Sequence, residues 1–261
     1  MIPIRDHNPA TRRPWVNHAL IALNMAVFAA MLPLYADERA LMALYDGYAI
    51  IPENITAGSK LGGLLTSMFL HGGLMHLLGN LLFLWIFGDN VEDQLGHGRY
   101  ALFYLAAGLG AGAIQVLADP ASDIPVVGAS GAIAGVMGGY LLMFPRARID
   151  ILIFLIVIVR ILPVPAWMML GLWFAMQIAG GTAADAATGG VAYWAHAGGF
   201  VAGIALMAPH WWRQGGPDFW RRTRGAPAHA PARYRFIRSD VPPVPRTRKA
   251  PGAVPTIRRR R

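Results

Sequence analysis

Long apolar runs broken by short polar clusters set the pattern along this chain. About 20 apolar residues cross a bilayer as a helix. On that ruler the pattern predicts six spans, roughly residues 16–35, 74–90, 100–117, 126–144, 165–180 and 191–208. The expected fold class is therefore all-α: a polytopic membrane bundle of six helices, with both termini on one side. Two apolar stretches are too long for a simple span. Residues 61–87 carry no charge over 27 positions, and His71-Gly72-Gly73 breaks them, leaving Leu61–Leu70 as an expected membrane-immersed loop. In residues 149–179, Pro163 and Pro165 bias the chain away from helix. Ile149–Val159 is expected at the interface, with Arg160 near the headgroups and the fifth span starting near Pro165.

Composition agrees with lipid as the main solvent, since 55% of the residues are hydrophobic and only 14% charged, against about a quarter charged in soluble proteins. Charge placement adds orientation. Arg5, Arg12, Arg13, Arg99, Arg146 and Arg148 fall on one side with the tail, while Arg39 and Lys60 face Asp37, Glu38, Asp46, Glu53, Asp119, Asp123 and Asp185 on the other. By the Lys/Arg bias the termini are cytoplasmic. Arg12 and Arg13 ahead of an apolar run mimic a signal peptide, but no small-x-small site follows, so an uncleaved first span is expected. The chain divides into a cytoplasmic segment 1–15, a membrane domain 16–209 and a basic, Pro/Arg-rich tail 210–261. Fourteen of the 23 Lys/Arg lie in that tail against two acids. Such a composition predicts disorder and attraction to anionic lipid; nucleic acid is not the expected partner. The absence of cysteine excludes disulfides and thiolate chemistry.

Polar groups inside spans are expensive and are functional candidates by default. Here they are His71, His76, Asn80, Gln115, Ser130, Gln177 and His196. The second, fourth and sixth spans all enter from the outer side. Ser130 then lies about five residues into its helix, about 7 Å at helical rise, with His196, His76 and Asn80 at a similar depth. Gly131, Gly135 and Gly139, and likewise Gly199 and Gly203, are spaced by four, a pattern that lets helix backbones approach closely in lipid. Packing along these stripes would bring Ser130 within reach of His196, the minimum for an activated hydroxyl nucleophile. No carboxylate in the spans completes a triad. His71 and His76 lack the HExxH context and the carboxylate of a metal site, so neither metal nor cofactor is expected.

Four motifs in order resemble those of the rhomboid family of intramembrane proteases. Gly128-Ala-Ser130-Gly131 resembles its GxSG; His76-Leu-Leu-Gly-Asn80 its HxxxN, preceded by His71; Ala195-His196-Ala-Gly198-Gly199-Phe-Val-Ala-Gly203 its AHxGGxxxG helix; and Glu92-Asp-Gln-Leu95-Gly96 its ExxLG. Together they cover about residues 60–207. The resemblance implies a bacterial-type six-span serine endopeptidase of the inner membrane that cuts transmembrane proteins. Ser130 is then the nucleophile and His196 the general base and acid. The oxyanion would lie between the Ser130 N–H and the side chains of His76 and Asn80. Gly128, Gly131, Gly199, Gly203, His71 and Glu92 take structural or packing roles, Glu92 as an acceptor in the cytoplasmic loop. The chain departs from the family pattern twice. Ala134 stands where many members stack an aromatic ring on the histidine, so another group must orient His196. No Trp-Arg pair occurs between Tyr35 and His71.

Each residue also has a plainer reading: Ser130 as a packing residue, His76 and Asn80 as partners of each other, and Gln115 and Gln177 as interhelical bonds. Two other functions compete, a non-catalytic rhomboid-like binder of transmembrane clients and a six-span transporter. Against the transporter, this sequence shows neither the inverted repeat nor the intramembrane acid that such proteins use. Proteolysis further requires a water-accessible cavity above Ser130. It also implies movement of the fifth span and the Gly180–Gly190 loop to admit substrate.

Overall fold

The computed structural model describes residues 2–155, 158–183 and 191–227, with side chains of 154–159 excepted. The Gly180–Gly190 loop beyond residue 183, and the tail from residue 228, lie outside the described residues. In order, the chain forms strand β1 (Ile2–Asp6), helix α1 (Trp15–Met31) and three short helices, α2 (Glu38–Tyr48), α3 (Pro52–Thr56) and α4 (Gly63–Thr66). Helices α5 (Leu74–Leu95), α6 (His97–Ala118) and α7 (Ser130–Met143) follow, then a hairpin of β2 (Arg148–Leu155) and β3 (Ile158–Pro165). Helices α8 (Ala166–Ala183), α9 (Tyr193–Arg213) and α10 (Pro217–Thr223) complete it.

Helix α7 is the axis of the bundle. Gly131 through Tyr140 are buried without a gap, packed by α5, α6, α8 and α9. Small residues on α7 admit these neighbours, and the large buried rings Phe87, Tyr100, Tyr104 and Tyr140 fill the space beside them. The outer faces are equally apolar: Met75, Trp85, Leu102, Leu117, Trp167 and Val201 are all more than half exposed. A soluble protein rarely exposes such a continuous apolar surface; lipid accepts it. Trp15–Ala36, Leu74–Leu95 and His97–Ala118 are each long and apolar enough to cross a membrane. The protein is a mostly helical integral membrane protein.

Several expectations are corrected. Ile149–Leu155 lie in β2 and Ile158 and Val159 open β3, while β1 completes an antiparallel sheet in the order β1-β2-β3 that the apolar pattern did not announce; the next helix starts at Ala166, beside the expected Pro165. The β-branched run Ile149–Val159 suits strand, and the three prolines of the sheet, Pro3, Pro163 and Pro165, lie on its edge strands, where a missing N–H is tolerated. Ile2 pairs with Leu152 and Asp6 with Ile149, with a bulge between Pro3 and Arg5. Asp150 anchors the register by accepting from Arg5 Nε (2.6 Å) and lying 2.9 Å from His7 Nε2. Asp6 docks the sheet on the helices, accepting from Tyr140 Oη (2.8 Å) and Asn90 Nδ2 (2.9 Å).

Helix α7, the expected fourth span, begins at Ser130, not near Val126, because Val126 is bridged in extended form to Ile50. Ser130 is therefore the first helical residue, not one five positions deep. Leu61–Leu70 folds as α4 and a 3-10 turn at Ser67–Phe69. Glu92 lies in the last turn of α5, buried, and not in a loop. It caps α1, accepting from Val16 N (3.0 Å) and Asn17 N (2.7 Å). The boundary at 209/210 falls inside a helix, since α9 runs to Arg213 through Pro209. Helix α10 then folds back, Trp220 Nε1 donating to the Leu142 carbonyl (2.9 Å) and its ring meeting Trp211 (4.8 Å). Trp211 and Trp220 supply the apolar surface that a purely basic tail lacks.

Candidate active site

Helices α5, α7 and α9 present their N-terminal turns to one place. Ser130 is the first residue of α7, His76 the third of α5 and His196 the fourth of α9. The amides of a helix's first turn have no intrahelical acceptor, so three positive dipole ends converge, an arrangement suited to negative charge.

Glycine sets how closely α7 and α9 approach. A Cβ at Gly199 would run into the Gly131 carbonyl, and one at Gly203 into the Gly135 carbonyl, four residues on along both helices. On the opposite side Gly131 sits against Ala111 of α6, where a Cβ would be 2.6 Å from the alanine methyl. This backbone contact brings His196 Nε2 to 2.7 Å from Ser130 Oγ. Gln115 secures the same turn of α9, its Oε1 accepting from Ala195 N (3.0 Å).

The approach to Ser130 is pinned at three points. Val126 and Ile50 exchange both backbone hydrogen bonds (2.7 and 3.1 Å), and Gly128 N donates to the Ser67 carbonyl (2.9 Å). Gly128 has φ +129°, and a Cβ there would lie 2.7 Å from His76 Nε2. Both facts require glycine. They also place His76 Nε2 directly over the turn that leads into Ser130. His76 Nδ1 accepts from Gly72 N (3.3 Å), which leaves the proton on Nε2, facing the cavity. Asn80 is buried, and its Nδ2 has no partner among the described residues, a free donor one turn below His76.

His71 takes a structural place. It is fully buried, its carbonyl accepts from the Tyr35 and Tyr45 hydroxyls, and its ring packs edge-on against His76 at 5.3 Å. Glu92, sixteen residues after His76 and about 24 Å along α5, is remote from this site. Two contacts of His196 come from α8. Gln177 Oε1 lies 2.9 Å from His196 Nδ1, and the Trp173 ring lies 5.8 Å from the imidazole at a 36° tilt. Trp173 is the residue that sequence reasoning missed. Its signal was available, because it lies one turn before Gln177, the only polar side chain in the middle of its span. Ser130, His196, His76, Asn80, Gln115 and Trp173 all line a cavity of about 980 Å³ whose rim includes Asp119 and Ser122.

Fold and site together define a class: an apolar helical bundle for lipid, holding a hydroxyl–imidazole pair at the floor of a cavity. Residues 58–213 match the Rhomboid domain, and the chain belongs to the rhomboid family. Among its relatives, RHOMBOID-like protein 5 of Arabidopsis thaliana is 30% identical over 53% of this chain and 55% of its own length. Rhomboid protein 1, mitochondrial, of Saccharomyces cerevisiae is 30% identical over 72% and 51%. The Rhomboid protease GluP of Bacillus subtilis is 36% identical over 49% of this chain and 24% of its own length. The chain thus spans about half the length of the first two and a quarter of the third.

Proposed function

We propose that this protein is an intramembrane serine endopeptidase, and the observation that carries the reading is the 2.7 Å Ser130–His196 bond at the cavity floor. Ser130 Oγ attacks the peptide carbonyl carbon while His196 Nε2 takes its proton. The developing oxyanion accepts from the Ser130 N–H, His76 Nε2–H and Asn80 Nδ2. Preorganised donors of this kind contribute about 3 kcal/mol each to the transition state. His196 returns the proton to the leaving amine, and water entering the cavity hydrolyses the acyl-enzyme by the same route in reverse. A helical peptide bond has its carbonyl tied into the ladder, so the substrate is a transmembrane protein whose segment unwinds near the cavity.

The six long helices are read as spans, with both termini cytoplasmic in a bacterial inner membrane and the site toward the outer face. The Arg residues at one end of the bundle and the acids Asp119 and Asp123 at the other support that orientation. The basic tail is read as lying against anionic lipid.

The test is cleavage of a single-span substrate in liposomes by the wild type, Ser130→Ala and His196→Ala. The reading expects cleavage by the wild type alone, with both variants folded. Cleavage by Ser130→Ala would remove the nucleophile, and an inert wild type that still binds the substrate would favour the client-binding function.

A further inference from the structure

We propose that Gln177 is the positioning residue of this site: its side-chain carbonyl holds His196 in the tautomer protonated on Nδ1, leaving Nε2 to accept the Ser130 proton. The inference rests on reading Ser130 and His196 as nucleophile and base, and it starts from an oddity of α8. Ala166, Leu170 and Gln177 are its buried described residues, and only one of them is polar. An amide kept inside an otherwise apolar, lipid-facing helix calls for a reason, and the hydrogen bonds supply one.

An amide side chain can be turned either way, but here its orientation is decided by chemistry. The Trp173 carbonyl, 3.0 Å from Gln177 Nε2, is only an acceptor, so the amide NH₂ must face it. Gln177 Oε1 therefore faces His196 Nδ1 at 2.9 Å. An amide oxygen cannot donate, so Nδ1 must carry the proton. Nε2 is then the lone-pair nitrogen, and the Ser130 hydroxyl donates to it at 2.7 Å. One unbroken series of donors runs from the nucleophile to the backbone of α8. The tilted Trp173 ring restricts rotation of the imidazole from the side. Helix α8 thus performs the orienting task that Ala134 of α7, a bare methyl group, leaves undone.

Two measurements test this. The first uses protein labelled with ¹⁵N-histidine in detergent, with the His196 signals assigned by their loss in His196→Ala. The wild type is expected to show a protonated Nδ1 and an unprotonated Nε2, and Gln177→Leu and Gln177→Met a mixture of tautomers. The second is steady-state cleavage. Both apolar variants should lower kcat about ten- to a hundredfold with KM within twofold, and Gln177→Glu, which keeps the acceptor, should recover most of kcat. A wild-type His196 protonated on Nε2, or a tautomer unchanged in both apolar variants, would overturn the proposal. So would Gln177→Glu failing alongside them. Should the wild type cut nothing, the protease reading falls, and the tautomer measurement alone still decides the role of Gln177.

Discussion

Replacing Gly203 by alanine puts a methyl group where two helix backbones touch. The new Cβ would lie 2.5 Å from both the Cα and the carbonyl carbon of Gly135, and nearer still to its oxygen. Ordinary contact begins at 3.4 Å. The obstacle is backbone in the middle of a helix, so no side-chain rotation relieves it, and α7 and α9 must separate by about 1 Å. Overpacking of this kind costs about 1–3 kcal/mol, against up to about 1 kcal/mol returned by the better helix propensity of alanine. The functional effect should exceed the loss of stability. Gly203 is seven residues from His196, about 10 Å along α9, so the separation carries the imidazole with it. A 2.7 Å bond lengthened by 1 Å is no longer a hydrogen bond, and a misplacement of that size lowers a rate about a hundredfold. The assay pairs thermal unfolding in detergent with cleavage of a single-span substrate. Gly171→Ala is the control, since its Cβ would meet nothing within 4 Å; it should match or slightly exceed the wild-type Tm. Wild-type Tm and activity in Gly203→Ala would show that α7 and α9 do not meet through their backbones, and the derivation of the site would fail with them.

Other expectations follow from single contacts. Asn80 Nδ2 has no partner among the described residues, so Asn80→Ala should leave Tm unchanged while lowering kcat about a hundredfold; a matching drop in Tm would point to a structural role. Glu92→Ala removes both acceptors of the first α1 amides, and unfolding should become easier by about 2–4 kcal/mol, with no change if α1 finds another cap. Burial raises the Asp6 carboxyl from 3.8 to about 6. The folded state then holds a proton that the unfolded chain releases. Stability from this group is full below pH 4 and falls as pH rises through 6, by at most about 3 kcal/mol and less after solvent screening at this half-buried side chain. Asp6→Asn should flatten that part of the pH–stability curve, and an unaltered slope would assign it elsewhere.

Where the sequence was informative, the cause was local. Apolar runs and the glycine spacing are properties of neighbouring residues, so α5, α6, α7 and α9 were legible, as was the convergence of Ser130, His196, His76 and Asn80 on one cavity. The sheet was not, because β1 and β2 are almost 150 residues apart and a run such as Ile149–Val159 satisfies strand and membrane-surface readings alike. Glu92 shows the same limit from the other direction. Its carboxylate was recognisable as an acceptor, but its donors, Val16 and Asn17, lie some 75 residues upstream. The ordering of residues 210–227 was hidden by charge, since the arginines outweigh three tryptophans in composition although two of them, Trp211 and Trp220, decide the packing. For His196, the departure at Ala134 announced a missing partner, and only the tertiary structure could show that α8 provides it.

The pairing of β1 with β2 also bears on the order in which the protein is made. Ile2 and Leu152 are partners, so the N-terminal strand emerges from the ribosome long before its complement exists. At about 5–20 residues per second, β1 waits about 8–30 s, while α1, α5, α6 and α7 are already synthesised. The contact is among the most distant in the chain, and loop-closure entropy places such contacts late in folding. Until it forms, β2 has an open edge of the kind that recruits foreign strands. The sheet therefore acts as a long-range clasp in biogenesis, joining segments almost 150 residues apart at the end of α7 opposite the cavity.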